Sequence, residues 1–177
     1  MRADDEPGDV DFRARIASEL GLAPDRVVTA PSVASIHLAL FYVLADAGDE
    51  VLVLGSADST VGEAARISGL DVQAIADLDA ESLFESAGER TRAIVIEREV
   101  DPEVIELLAE LDLPIVSSRR IAHRIYETAD APLLALVGSR SSIAWLAVLG
   151  PADRAEPLLT RLEPFARVFF TRDRGSS

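Results

Sequence analysis

Apolar residues in this chain change rhythm repeatedly, from helical spacings of three or four to short unbroken runs, and most changes fall at a Gly, a Pro or a capping residue. Asp11 opens a helix in which Phe12, Ile16 and Leu20 recur every fourth position, and Gly21 stops it. Val27-Val28-Thr29 reads as a short strand. Pro31-Ser32 starts a helix with Ile36, Leu40 and Val43 on one face, ended by Gly48. Val51–Leu54 is continuously apolar, as befits a parallel strand covered on both faces. The pattern then predicts a helix over Val61–Ser68, closed by Gly69, and a strand over Val72–Ile75. A helix over Leu78–Ser86 and a buried strand over Ala93–Ile96 follow. Asp101-Pro102-Glu103 combines a capping Asp, Pro at the first helical position and an acid in the first turn. Val104, Leu107, Leu108 and Leu111 mark the buried face of that helix. A strand at Pro114–Val116, a short helix at Ile121–Tyr126, and strands at Leu133–Val137 and Ile143–Leu149 complete the alternation. Gly150-Pro151 breaks it. A helix near Ala155–Leu162 precedes an apolar patch, Val168-Phe169-Phe170, and a polar tail.

Strands alternating with helices imply right-handed crossovers and an α/β fold with a mainly parallel sheet, whose ligands bind at the carboxyl ends of the strands. The division expected is a flexible lead over 1–10, one core over 11–151, and a C-terminal stretch over 152–177 holding a helix, a short apolar segment and the tail. At 177 residues the chain has the length of one domain.

Charge narrows the choice of partner. There are 31 acidic residues against 17 basic ones, all 17 of them arginine, so the chain contains no lysine and carries a net charge of −14. Such a charge repels nucleic acid and anionic membrane at long range. Two origins of the bias stay open: an acidic surface suited to high salt, or GC-rich codon usage that favours Arg over Lys. No apolar run approaches the ~20 residues of a spanning helix. The polar start and the absence of cysteine give no sign of export, so a cytoplasmic protein is expected.

The order of segments, more than any single motif, resembles the large domain of the fold-type-I pyridoxal-phosphate enzymes, the class I/II aminotransferases. Phe12–Ala17 with Leu20-Gly21-Leu22 resembles the family's opening helix, and Asp25–Ala30 the strand entering its phosphate-binding turn. Leu38-Ala39-Leu40 is similar to the helix after that turn, and Ala47–Val53 to the family's "pGDeVlv" strand. Glu63–Arg66 with Gly69, Arg92–Ile96, Pro114–Ser117 and Leu146–Pro151 follow in the family's order. The likeness runs from Asp11 to Pro151. It implies a three-layer sandwich, with no counterpart in this sequence of the family's small C-terminal domain.

The scaffold residues match this pattern and the working residues do not. By resemblance the cofactor phosphate would face the turn Ala30-Pro31-Ser32-Val33, where Ser32 can contribute but Pro31 has no N–H to donate. The ring-stacking aromatic falls near Asp58. The asparagine motif "NPxNPTG" is replaced by Glu97-Arg98-Glu99-Val100. The aspartate that pairs with the pyridinium nitrogen falls at Ser118, and the following tyrosine at Ile121. The lysine segment is shortened to Ser139-Arg140-Ser141-Ser142, and its phosphate-binding arginine falls at Ala144. A Schiff base needs a primary amine, which no side chain here supplies. The family mechanism is therefore excluded for this chain. No cofactor is expected, and an inactive, aminotransferase-like domain with an interaction or regulatory role is the leading expectation. Because the family's site lies between two subunits, the resemblance implies a homodimer, and the Val168-Phe169-Phe170 patch points the same way; a protein partner is the alternative.

Other chemistry is sparse. His37 sits one helical turn beyond Val33 and reads as a packing or capping residue, while His123 lies among Arg119, Arg120 and Arg124, with no acid to orient its ring. Ser117 and Ser118 lack a Gly-x-Ser-x-Gly elbow, and two histidines without cysteine make a poor zinc site. Asp77/Asp79 and Glu97/Glu99 read as solvated loop charges. One cluster rises above these. Arg98, Arg119, Arg120 and Arg140 each follow a predicted strand at its carboxyl end, so with Ser32 they could bind a small phosphate or carboxylate anion. The simpler reading is that they pair with Glu97, Glu99 and Glu127, or anchor a partner chain. An enzyme of another chemistry on the same fold ranks last, because no nucleophile–base pair is visible.

Overall fold

The computed structural model describes residues 9–56, 58–76, 80–118 and 133–170. Helix α1 (Asp9–Leu20) and a 3-10 turn at Pro24–Arg26 lead into β1 (Val27–Ala30). Then come α2 (Val33–Leu44), β2 (Glu50–Leu54), α3 (Thr60–Ile67), β3 (Asp71–Ile75), α4 (Ala80–Ser86) and β4 (Thr91–Ile96). Helix α5 (Pro102–Leu111), β5 (Ile115–Ser118), β6 (Leu134–Arg140), β7 (Ile143–Leu149) and α6 (Ala152–Phe170) complete the order.

The strands form one seven-stranded sheet in the order β1-β7-β6-β5-β4-β2-β3. Strands β2 to β6 pair in parallel, and β7 runs antiparallel to both its neighbours, β6 and β1. The unbroken apolar runs at Val51–Leu54 and Ala93–Ile96 are buried throughout, because helices cover both faces of the central strands. Edge strand β3 is mostly exposed, and its Asp71, Val72, Gln73 and Ala74 are accordingly mixed in character.

Each face has its own core. On one, Phe12 and Ile16 of α1, Leu83 of α4 and Val104 and Leu108 of α5 pack with Leu52, Ile94 and Trp145. On the other, Leu40 of α2, Ala65 of α3 and Leu158 and Leu162 of α6 pack with Val53, Val95 and Val148. Helix α2 is buried on most of its circumference (Ile36, His37, Ala39, Leu40, Phe41 and Val43), which explains its almost wholly apolar sequence.

Local rules account for most boundaries. The Ser32 hydroxyl caps α2 by accepting from the Ser35 N–H at 3.1 Å, and Ser59 caps α3 by accepting from the Gly62 N–H at 3.1 Å. Asp101 holds the extended backbone of an N-cap but makes no side-chain cap; Pro102 at the first turn and Glu103 carry that start. Several boundaries differ from the pattern-based expectation. Helix α1 begins at Asp9, so Asp11 lies within its first turn and does not cap it, and the expected lead over 1–10 overlaps the helix. Helix α2 ends at Leu44, before Gly48. Strand β6 runs past Gly138 to Arg140, since pairing with β7 holds it extended. Helix α6 continues through Pro157 and Pro164 to Phe170, so the Val168-Phe169-Phe170 segment is helical. The expected helix at Ile121–Tyr126 lies outside the described residues.

Candidate functional site

The direction of travel across the sheet reverses after β3. Helix α3, leaving β2, covers one face, whereas α5, leaving β4, covers the other. Loops at the carboxyl ends of the adjacent strands β2 and β4 thus diverge, which opens a crevice at the switch point where doubly wound sheets take ligands. A cavity of about 210 Å³ lies beside it, over the carboxyl ends of β4, β5 and β6. Its walls include Val33 and His37 of α2, Val61 of α3, Glu97 just past β4, Ser117 of β5 and Val137 of β6.

Each polar group in this wall is held by its element. Val33 and His37 stand four residues apart on one face of α2, so both reach the sheet edge. His37 is only 5% exposed, its ring lies 6.4 Å from that of Phe41, and its Nδ1 has no hydrogen-bond partner among the described residues. Burial pushes its pKa down to about 4, so the ring is neutral at pH 7. The Ser117 hydroxyl donates to the Ile96 carbonyl at 3.4 Å. Glu97 folds over the end of β2. A Cβ added at Gly55 (φ +156°) would lie 2.9 Å from Glu97 Oε2, so the glycine leaves space for the carboxylate.

The arginines are engaged elsewhere. Arg98 Nη2 donates to the Ala76 carbonyl, and Arg140 forms an ion pair with Glu19 of α1; neither lines the cavity. Arg119, Arg120 and His123 lie outside the described residues. Ser32 is exposed and committed to its cap, with Oγ 2.8 Å from Ser35 Oγ. Asp58 pairs with Arg66 at 3.9 Å and is almost fully solvated. Among the described residues no cluster of His, Cys, Asp or Glu could hold a metal ion. No described helix is long and apolar enough to cross a membrane.

Solved structures share this architecture. Aspartate aminotransferase from Thermotoga maritima superposes with a TM-score of 0.74 at 17% identity, over 94% of this chain and 54% of that one. The fold is that of the aminotransferases. An amino transferase from Eubacterium rectale gives a TM-score of 0.74 at 20% identity, over 92% and 52% of the two chains. Alanine aminotransferase from Pyrococcus furiosus gives 0.70 at 16%, over 89% and 49%. The chain therefore spans about half the length of the solved structures it matches. By sequence it matches no protein-family model and no curated protein.

Pyridoxal phosphate, the cofactor implied by this fold, does not fit the residues present. In the resemblance its amine partner belongs between β6 and β7. Here Arg140 pairs directly with Ile143, and only Ser141 and Ser142, both at positive φ, make the turn. That is the backbone of a two-residue type I′ hairpin. The charged group that the cavity does present, the Glu97 carboxylate, would repel the cofactor's phosphate and phenolate oxygens.

From sequence alone Glu97 reads as a solvated loop charge and His37 as a packing residue. The available signals are modest: the i, i+4 spacing of Val33 and His37 at the start of α2, and an acid directly following the apolar run Ala93–Ile96.

Proposed function

We propose that this chain is an aminotransferase-fold domain that performs no Schiff-base chemistry and serves as an interaction or regulatory domain. The β6–β7 turn carries this reading. It reduces the lysine-bearing segment implied by the resemblance to Ser141-Ser142, in a chain without lysine, so the deficit is one of backbone as well as of a side chain. Added pyridoxal phosphate is expected to produce no borohydride-reducible aldimine band once the N-terminal amine is blocked. Appearance of that band would overturn the proposal.

A homodimer is the partner proposed for this domain. Besides the two-fold contact implied by the resemblance, large apolar side chains stand in solvent on the α2–α3 side: Tyr42 is 70% and Ile67 67% exposed. Ile67 and Leu38 help to wall an open groove of about 430 Å³ there. Sedimentation should detect dimers at tens of micromolar, more of them in molar salt, because screening relieves repulsion between chains of charge −14. A strict monomer in both low and molar salt would count against pairing.

A further inference from the structure

Ligand chemistry at the strand-end cavity can be read from its walls. Glu97 offers only acceptor oxygens. Ser117 commits its proton to the Ile96 carbonyl. His37 contributes ring surface, while its Nδ1 is sealed from solvent and lies out of a ligand's reach. The remaining surface is aliphatic, with Val33, Val61 and Val137 prominent. A void of about 210 Å³ has room for a small branched aliphatic molecule.

We propose that this cavity binds a small aliphatic amine, its branched apolar end against the valines and its ammonium group held by the Glu97 carboxylate. The same walls disfavour anions. A carboxylate or phosphate placed there would meet the Glu97 charge in a partly dry site, where repulsion is stronger than in water. The proposal rests on the reading of the chain as a domain without Schiff-base chemistry only in that no cofactor fills the crevice. It names a cationic ligand, whereas the strand-end arginines would favour an anion.

The test uses methyl-resolved NMR of the full chain at neutral pH and constant ionic strength. The probes are 3-methylbutan-1-amine, 3-methylbutan-1-ol and 3-methylbutanoate. So small a ligand binds weakly, so each probe is taken to about 100 mM to reach dissociation constants in the millimolar range. The amine should shift the methyl signals of Val61 and Val137 saturably, at least about tenfold more tightly than the alcohol, a margin worth ~1.4 kcal/mol. The carboxylate should leave them in place. Glu97→Gln should bring amine and alcohol to equal affinity. Failure of the amine to saturate, equal or tighter binding of the carboxylate, or an amine preference that survives Glu97→Gln would each overturn the assignment. None of those outcomes would generate an aldimine, so the borohydride experiment answers the cofactor question separately.

Discussion

Replacing Gly138 with alanine is expected to cost about 3 kcal/mol of stability or more, beyond the usual penalty of an added methyl group in a core. Gly138 of β6 lies opposite Trp145 of β7 in the ladder, and the indole lies across the glycine. A Cβ there would stand 2.3 Å from Cζ2 and 2.5 Å from Cε2 of a ring that is only 2% exposed. Neither partner can yield cheaply. Both strands are paired on each side, and Trp145 is wedged into the core beneath α1. Urea unfolding of Gly138→Ala, Trp145→Leu and the double variant measures the coupling. In the Trp145→Leu background the alanine should be nearly neutral, because alanine is otherwise preferred to glycine in a strand by about 0.5–1 kcal/mol. A Gly138→Ala variant within about 0.5 kcal/mol of the parent, the ordinary scatter of harmless substitutions, would refute this account.

The second large effect depends on pH. His37 is neutral in the folded chain, with a pKa lowered to about 4 by burial, and close to 6.5 when unfolded. Between those values the unfolded chain binds one more proton than the native one, so stability falls as pH falls. The stabilisation is complete above pH 6.5, declines from there towards pH 4, and the loss totals about 3 kcal/mol. Carboxylates in general titrate near the lower end of this window, and the chain is rich in them. The informative quantity is therefore the difference between parent and His37→Leu. Parent stability should fall more steeply than that of the variant from pH 6.5 downwards. Parallel curves would show that the imidazole contributes nothing.

These two residues also mark where sequence reading stops. The alternation of apolar runs and helical stripes locates the seven strands among the described residues, because a central parallel strand buried on both faces leaves an unbroken apolar signature such as Val51–Leu54 or Ala93–Ile96. Gly138, by contrast, resembles a strand terminus, since the tryptophan that requires its small size lies seven residues on and across a turn. His37 resembles a packing residue because its neighbours in sequence are apolar; the cavity beside it is built from β4, β5, β6 and α3. Strand-end residues are recognisable as candidates. Which of them turn inward is not legible, because Arg98 and Arg140 find partners in Ala76 and Glu19, brought close only by the fold.

The pairing of β1 has a consequence for how this chain is made. Strand β1 hydrogen-bonds in the sheet to β7 alone, with Val27 opposite Ala147, 120 positions later. Ribosomes add about 5–20 residues per second, so the first strand to emerge waits roughly 6–24 s for its partner. Meanwhile β2 to β6 can assemble in sequence, each next to strands already present. The segment carrying Phe12, Ile16 and Val27, all buried in the finished fold, must remain unpaired during that interval. Synthesis thus separates two events, growth of a parallel sheet from its β2–β3 edge and late closure by β7 of the side where β1 waits.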